Sequence, residues 1–155
     1  MKRFNLHTAD TELEGSEPPG FLSRGNRFGK EIGAETIGGT VYDLAPGQAV
    51  CPYHFEYGDE EWLMVLTGNP VVRTPHEETA LDPGDVVCFP RGPEGAHKVT
   101  NPRSATGDSR VLMISTLNEP SVAVYPDSDK VGVFAGDYRL LVQRDSGVDY
   151  WRGES

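Results

Sequence analysis

Cysteine is nearly missing from this chain. Cys51 and Cys88 are its only two in 155 residues, too few for a disulfide framework, and they are expected as reduced, buried thiols. Positive charge is scarce too. Fourteen Lys and Arg face 24 Asp and Glu, a formal net charge of −10, which repels the phosphates of nucleic acid and an anionic membrane surface alike. Neither is expected as a partner. No apolar run approaches the roughly 18–20 residues of a spanning helix, and the opening MKRFNLHTADTELEG lacks the apolar core of a signal peptide. A cytoplasmic protein is the expectation. Before residue 120 there is no long apolar stripe of helical period, so a parallel α/β sheet would have no helices for its crossovers. Nucleophilic triads, phosphate-binding loops, dinucleotide fingerprints, internal repeats and low-complexity tracts are missing as well.

What the chain has in quantity is punctuation. Eighteen Gly and twelve Pro cut its middle into pieces of about five to eight residues rich in Val, Leu, Thr, Tyr and Phe. ETIGGTVYDLA, AVCPYHFEY, EEWLMVLTG, PVVRTP, ETALDPG, DVVCFPRG, AHKVTNP and SRVLMISTL read as strands, with turns at APGQ, TGNP, TPHEE, DPGD and RGPEG. Strand follows strand, so pairing must be antiparallel, in a sandwich or barrel. At 155 residues one domain spanning 1–155 is expected. Its barrel core covers about 36–118, with an N-terminal arm at 1–35 and a C-terminal extension at 119–155 that holds a short strand pair near Val133 and Tyr138–Gln143.

One constellation carries chemistry. His54 and Glu56 are two residues apart and leave the same face of a strand. Glu61 follows a short YGDE connection at the start of WLMVLT, and His97 opens HKVTN. Three separate strands can thus aim two imidazoles and two carboxylates at one metal ion. Gly47, His54, Glu61 and Gly68, followed in order by Gly84, Pro90, Gly92, His97 and Asn101, make the stretch from about Gly39 to Leu117 resemble a cupin of the germin and mannose-6-phosphate isomerase-like group. The resemblance implies a double-stranded β-helix, or jelly roll, with one divalent metal ion (Mn, Fe, Ni or Zn) held by His54, Glu56, Glu61 and His97. Two departures stand out. Glu56 replaces the second histidine of the first motif, which shifts the donor set toward harder ions, and the link from Gly92 to His97 is two residues longer than the pattern.

Other side chains read as support. His7 and His76 lie in polar segments as solvated bystanders, and Glu60 points away from Glu61 into solvent. Tyr42, Tyr53, Phe55, Tyr57, Trp62, Phe89 and Met113 supply core or interface packing. Arg73, Arg91 and Lys98 are candidates to hold an anion, Asn101 to fix loop backbone, and Tyr125 and Asp127 to cap the pocket. The function expected is an enzyme acting on a small polar or oxygen-rich compound at the metal: a dioxygenase, decarboxylase or isomerase. A non-catalytic small-molecule binding or sensor module is the alternative. Apolar pieces in both terminal segments (GFL, VAVY, VGVF, LLV) exceed what one small barrel can cover and predict a homodimer.

Overall fold

The computed structural model describes residues 1–13, 15 and 17–154. Among these, thirteen strands run in chain order: β1 (Glu12–Leu13), β2 (Arg24–Asn26), β3 (Ile37–Leu44), β4 (Phe55–Glu56), β5 (Glu61–Thr67), β6 (Val71–Arg73), β7 (Glu78–Ala80), β8 (Val86–Phe89), β9 (Lys98–Thr100), β10 (Ser109–Thr116), β11 (Ser121–Tyr125), β12 (Lys130–Ala135) and β13 (Tyr138–Gln143). A single helical turn, α1 (Gly29–Ile32), precedes β3. The all-β expectation holds, and every strand pair is antiparallel.

One wall of the jelly roll is a six-stranded sheet in the order β1-β2-β3-β10-β5-β8. The facing wall is built from a four-stranded sheet, β13-β12-β11-β4, and a three-stranded sheet, β7-β6-β9. Isolated bridges Ala49–Thr100 and His54–His97 join these two smaller sheets. The piece read as one long strand over 49–57 is therefore mostly bridge and bend, regular only at Phe55–Glu56. Between the walls lie Leu44, Leu63, Val65, Val72, Phe89, Val99, Val111 and Met113. The two-residue period of β5 explains the partition: Leu63 and Val65 are buried while Trp62 and Met64 face out. Each such buried aliphatic side chain contributes about 1.5–3 kcal/mol.

Two glycines at turns are fixed by close approach, Gly68 of the motif and Gly95 in the longer link. Gly68 ends β5 at φ +79°, and a Cβ there would stand 2.5 Å from the Ser109 hydroxyl. Gly95 admits no side chain either, since a Cβ would fall 1.7 Å from the Pro90 carbonyl oxygen. The longer link between Gly92 and His97 is thus taken up as a tight 3-10 turn at Pro93–Gly95, and β9 starts directly after His97.

Both terminal segments pack on the barrel of their own chain. β2 pairs with β3, and the part-buried Arg110 guanidinium donates to Leu6 O (2.7 Å), Ala9 O (2.6 Å) and both oxygens of Asp43. At the other end β11 pairs with β4, and Arg73 makes a two-pronged ion pair with Asp127 at 2.7 and 2.9 Å. Cys88 departs from expectation. On β8 its side chain takes the outward face and is exposed, while Cys51 is half-buried; both are free thiols.

Asn101 fixes loop backbone, as read from the sequence. Fully buried, it donates to Leu44 O (2.8 Å) and Gly107 O (2.9 Å) and accepts from Ser109 Oγ (3.0 Å). Asn101→Ala would leave those groups without partners in a dry interior, so a loss of about 2–3 kcal/mol is expected, read from the shift of the urea unfolding midpoint.

Candidate metal centre

His54 and His97 are Cα partners in a narrow antiparallel bridge, with His54 N donating to His97 O (3.1 Å) and His97 N to His54 O (2.8 Å). Paired residues project to one face of a sheet, and the two ring centroids lie 4.8 Å apart. Glu61 begins β5 in the opposite wall. It shares the inward face of Leu63 and Val65 by alternation, so its carboxylate meets the imidazoles across the barrel. Glu61 Oε2 lies 3.4 Å from His54 Nε2 and 3.5 Å from His97 Nε2. One ligand atom from each of the three residues falls within 4.8 Å of the others.

Hydrogen bonds behind the rings determine which nitrogens point inward. His97 Nδ1 lies 2.9 Å from Gly95 O and must donate to it, leaving Nε2 as a bare lone pair. That Nε2 is buried and has no hydrogen-bond partner. Phe89 stacks on the same ring at 3.7 Å and holds its plane. His54 Nδ1 lies 3.1 Å from Pro52 O and 3.5 Å from Cys51 Sγ, so its Nε2 also points inward. An uncompensated imidazole lone pair facing a carboxylate oxygen is unfavourable in a dry site. A cation between them removes the conflict, and two imidazoles with a carboxylate suit a first-row divalent ion.

The cupin domain family matches residues 40–115, a segment that contains all three convergent side chains. The chain belongs to the cupin family. A sugar phosphate isomerase of the cupin superfamily from Silicibacter pomeroyi superimposes with a TM-score of 0.81 at 21% identity, covering 96% of this chain and 98% of that one. A candidate sugar phosphate isomerase from Acidithiobacillus ferrooxidans gives 0.77 at 24% identity, covering 84% and 82%. A polyketide cyclase from Streptomyces resistomycificus gives 0.62 at 22% identity, covering 78% and 83%. At these identities the likeness is one of fold. No curated protein matches the sequence.

In this cupin, Glu56 stands beside the cluster rather than in it. Its Oε2 accepts from Ser121 Oγ at 3.0 Å. Burial, and next the Glu61 charge, push its pKa up to about 7. Tyr125 stacks against the His54 ring with centroids 5.9 Å apart. Ser121 and Tyr125 both come from β11, in the C-terminal extension. Tyr125, a candidate to cap the pocket, lies against the His54 ring; Ser121 had no local signal, because its approach depends on the pairing of β11 with β4. Cys51 beside His54 was likewise missed as part of the site's surroundings. Among the other candidates, His76 is exposed and pairs with Glu94, Arg91 is exposed, and Arg73 is engaged by Asp127 while lying over the Tyr53 ring at 4.0 Å. Glu60 accepts from Trp62 Nε1 at 2.8 Å on the outer side.

The two histidines titrate in opposite directions. Burial lowers the His97 pKa to about 4. Burial also opposes a charge on His54, but the Cys51 thiol and Glu61 outweigh it and raise that pKa to about 11. Glu61 resists its own burial and stays below the usual carboxylate range because His54 donates to it. At neutral pH the metal-free centre therefore keeps a proton on His54, and a metal that takes Nε2 must expel it. Apparent Zn²⁺ affinity should rise with pH, roughly tenfold per unit between pH 6 and 8 for one displaced proton. Competition against a chelator of known pH dependence checks this; a flat profile would exclude His54 as a donor.

Proposed function

We propose that this cupin is a mononuclear divalent-metal enzyme of the isomerase type, acting on a small, hydroxyl-rich compound. The observation that carries the reading is the buried, unpartnered Nε2 of His97, aimed at the same point as His54 Nε2 and Glu61 Oε2. Those three residues hold the ion, Mn, Fe, Ni or Zn, with Glu56 as the fourth donor once it exchanges its Ser121 contact. A bound divalent cation supplies Lewis acidity that polarises a carbonyl or hydroxyl oxygen.

The chain's own groups do the rest. Phe89 and the Gly95 carbonyl orient His97, and Tyr125 stacks on the His54 ring. A cavity of about 430 Å³ opens directly on His54 and Glu61, bordered by Tyr42, Cys51, Met113 and Ser115. It is large enough for a compound of a few carbons. Isomerisation is favoured over oxygenation or decarboxylation by the sugar phosphate isomerase names of two proteins that share the fold.

Protein prepared without chelator or affinity nickel should carry about one equivalent of first-row metal by elemental analysis. His97→Ala should lose nearly all of it with its circular dichroism spectrum intact, and should also lose the exchange of substrate C–H for solvent deuterium that the wild type is expected to catalyse with members of a panel of aldoses, ketoses and their phosphates. Full metal content in His97→Ala would sink the assignment. Glu56→His should keep the metal but shift preference toward Zn, Cu and Ni, which suit imidazole; an unchanged metal profile would remove Glu56 from the ligand set.

The same reading includes a homodimer. Trp62, Met64 and Val86 form an exposed apolar face on β5 and β8, and β13 exposes Leu140 and Leu141. An isologous interface would cover such surfaces. Light scattering at low micromolar concentration should give twice the 16.9 kDa of one chain; a monomer mass would rule the dimer out.

A further inference from the structure

The cavity at His54 and Glu61 continues past the metal centre. A second hollow of about 640 Å³ adjoins the first, with Arg27, Tyr42, Val50 and Cys51 bordering both. Its outer part is lined by Lys98, Lys130, Phe21, Tyr53, Ser128 and Glu17. Lys130 Nζ lies 5.4 Å from the centroid of the Tyr125 ring, the ring that also stacks on His54. Lys130 and His54 thus both neighbour the Tyr125 ring. Lys98 follows His97 in sequence, and its Nζ lies 5.0 Å from the Phe21 ring of the N-terminal arm. Both ammonium groups are thus held against aromatic faces, which limits their freedom without neutralising them.

The charges of this region do not cancel. Among the described residues the ion pairs of basic side chains with carboxylates involve Arg24, Arg73, Arg110, Arg144 and histidines, and neither Lys98 nor Lys130 takes part. Asp127 lines the hollow but is already claimed by Arg73. Glu17 is the other acid there, and its buried Oε2 has no partner. In a chain with a formal charge of −10, carboxylates are plentiful. Lys98 and Lys130, neither in an ion pair, stand on this surface against the single unpartnered carboxylate of Glu17, since Arg73 offsets Asp127, and the balance favours an anion. A dianion matches two ammonium groups, and the hydroxyl of Ser128 adds a donor to the same rim.

We propose that the outer part of the cleft is a phosphate subsite, in which Lys98 and Lys130 bind the phosphate of a phosphorylated polyhydroxy compound whose other end reaches His54 and Glu61. The orientation of that compound rests on the metal-isomerase reading; the phosphate contact does not.

The probes are sorbitol 6-phosphate, sorbitol and gluconate, measured by calorimetry on the full chain as purified, with metal content determined in parallel. Sorbitol 6-phosphate should bind at least roughly tenfold more tightly than either sorbitol or gluconate, the scale of losing charge-assisted hydrogen bonds. Its advantage should shrink in high salt. Lys98→Gln with Lys130→Gln should remove the advantage and leave the metal content unchanged, while Lys98→Arg with Lys130→Arg should preserve it. Equal binding of sorbitol 6-phosphate and sorbitol, equal binding of gluconate, or an undiminished advantage in the double Gln variant would each overturn the proposal. A wild type without metal that still prefers sorbitol 6-phosphate through these lysines would uphold the subsite and refute the metal reading alone.

Discussion

Two backbone hydrogen bonds between His54 and His97 are the constraint on which the rest of the site depends. Together with the Ala49–Thr100 bridge they join the four-stranded and three-stranded sheets into one wall, and they place two imidazoles side by side on its inner face. Everything else about the centre is orientation. The 3-10 turn before His97 presents the Gly95 carbonyl to Nδ1, Pro52 presents its carbonyl to the corresponding atom of His54, and both Nε2 atoms are left facing Glu61 on the other wall. A slip of one residue in this bridge would turn a histidine outward and bring an aliphatic or aromatic neighbour inward. The strength of the bridge is therefore a property of the site as much as of the fold.

The electrostatics follow from that geometry. Two imidazoles and a carboxylate in a largely buried space cannot all be satisfied by one another: a proton on His54 serves Glu61, and the lone pair of His97 still has no donor. Burial alone would select a neutral His97 and penalise both charges. A buried polar cluster with one acceptor too many is unfavourable for folding, and such a cost is tolerated at sites of function. The two histidines are unequal as a result: against its burial, Cys51 and Glu61 raise the pKa of His54, burial lowers that of His97, and the one proton stays with His54 while the lone pair of His97 remains open.

The sequence was most legible where chemistry and period coincide. The turn glycines, the alternation along β5 and the spacing of His54, Glu61 and His97 are local patterns, and each maps directly onto structure. Asn101 was readable for the same reason, a polar residue between a strand and a turn with backbone to satisfy. Pairings distant in the chain were not. β11 lies 65 positions beyond β4, and nothing within Ser121–Tyr125 marks it as the neighbour of Glu56. Nothing within residues 1–35 says where the arm lies, and Arg110 places it on its own barrel through contacts more than 100 residues away in sequence. Cys88 was misplaced because a small apolar residue on a strand carries no sign of which face it takes; register with Trp62 puts it outside.

The parts of the cleft come from different stretches of chain, and this division bears on how its specificity can vary. The barrel segment supplies His54, Glu61 and His97 on a rigid frame. The walls beyond them draw on the termini as well as the barrel: Phe21 and Arg27 come from the arm and Ser128 and Lys130 from the extension. One fold hosts many functions because the groups that do chemistry and those that select a ligand can change separately. Here the two sets touch at few points, chiefly Cys51 and Tyr125 against His54. Substitutions in the arm or the extension can alter what the cleft admits without disturbing the bridge that positions the imidazoles. Substitutions in the Gly92–His97 turn cannot, because the Gly95 carbonyl and the His97 ring belong to the same few residues.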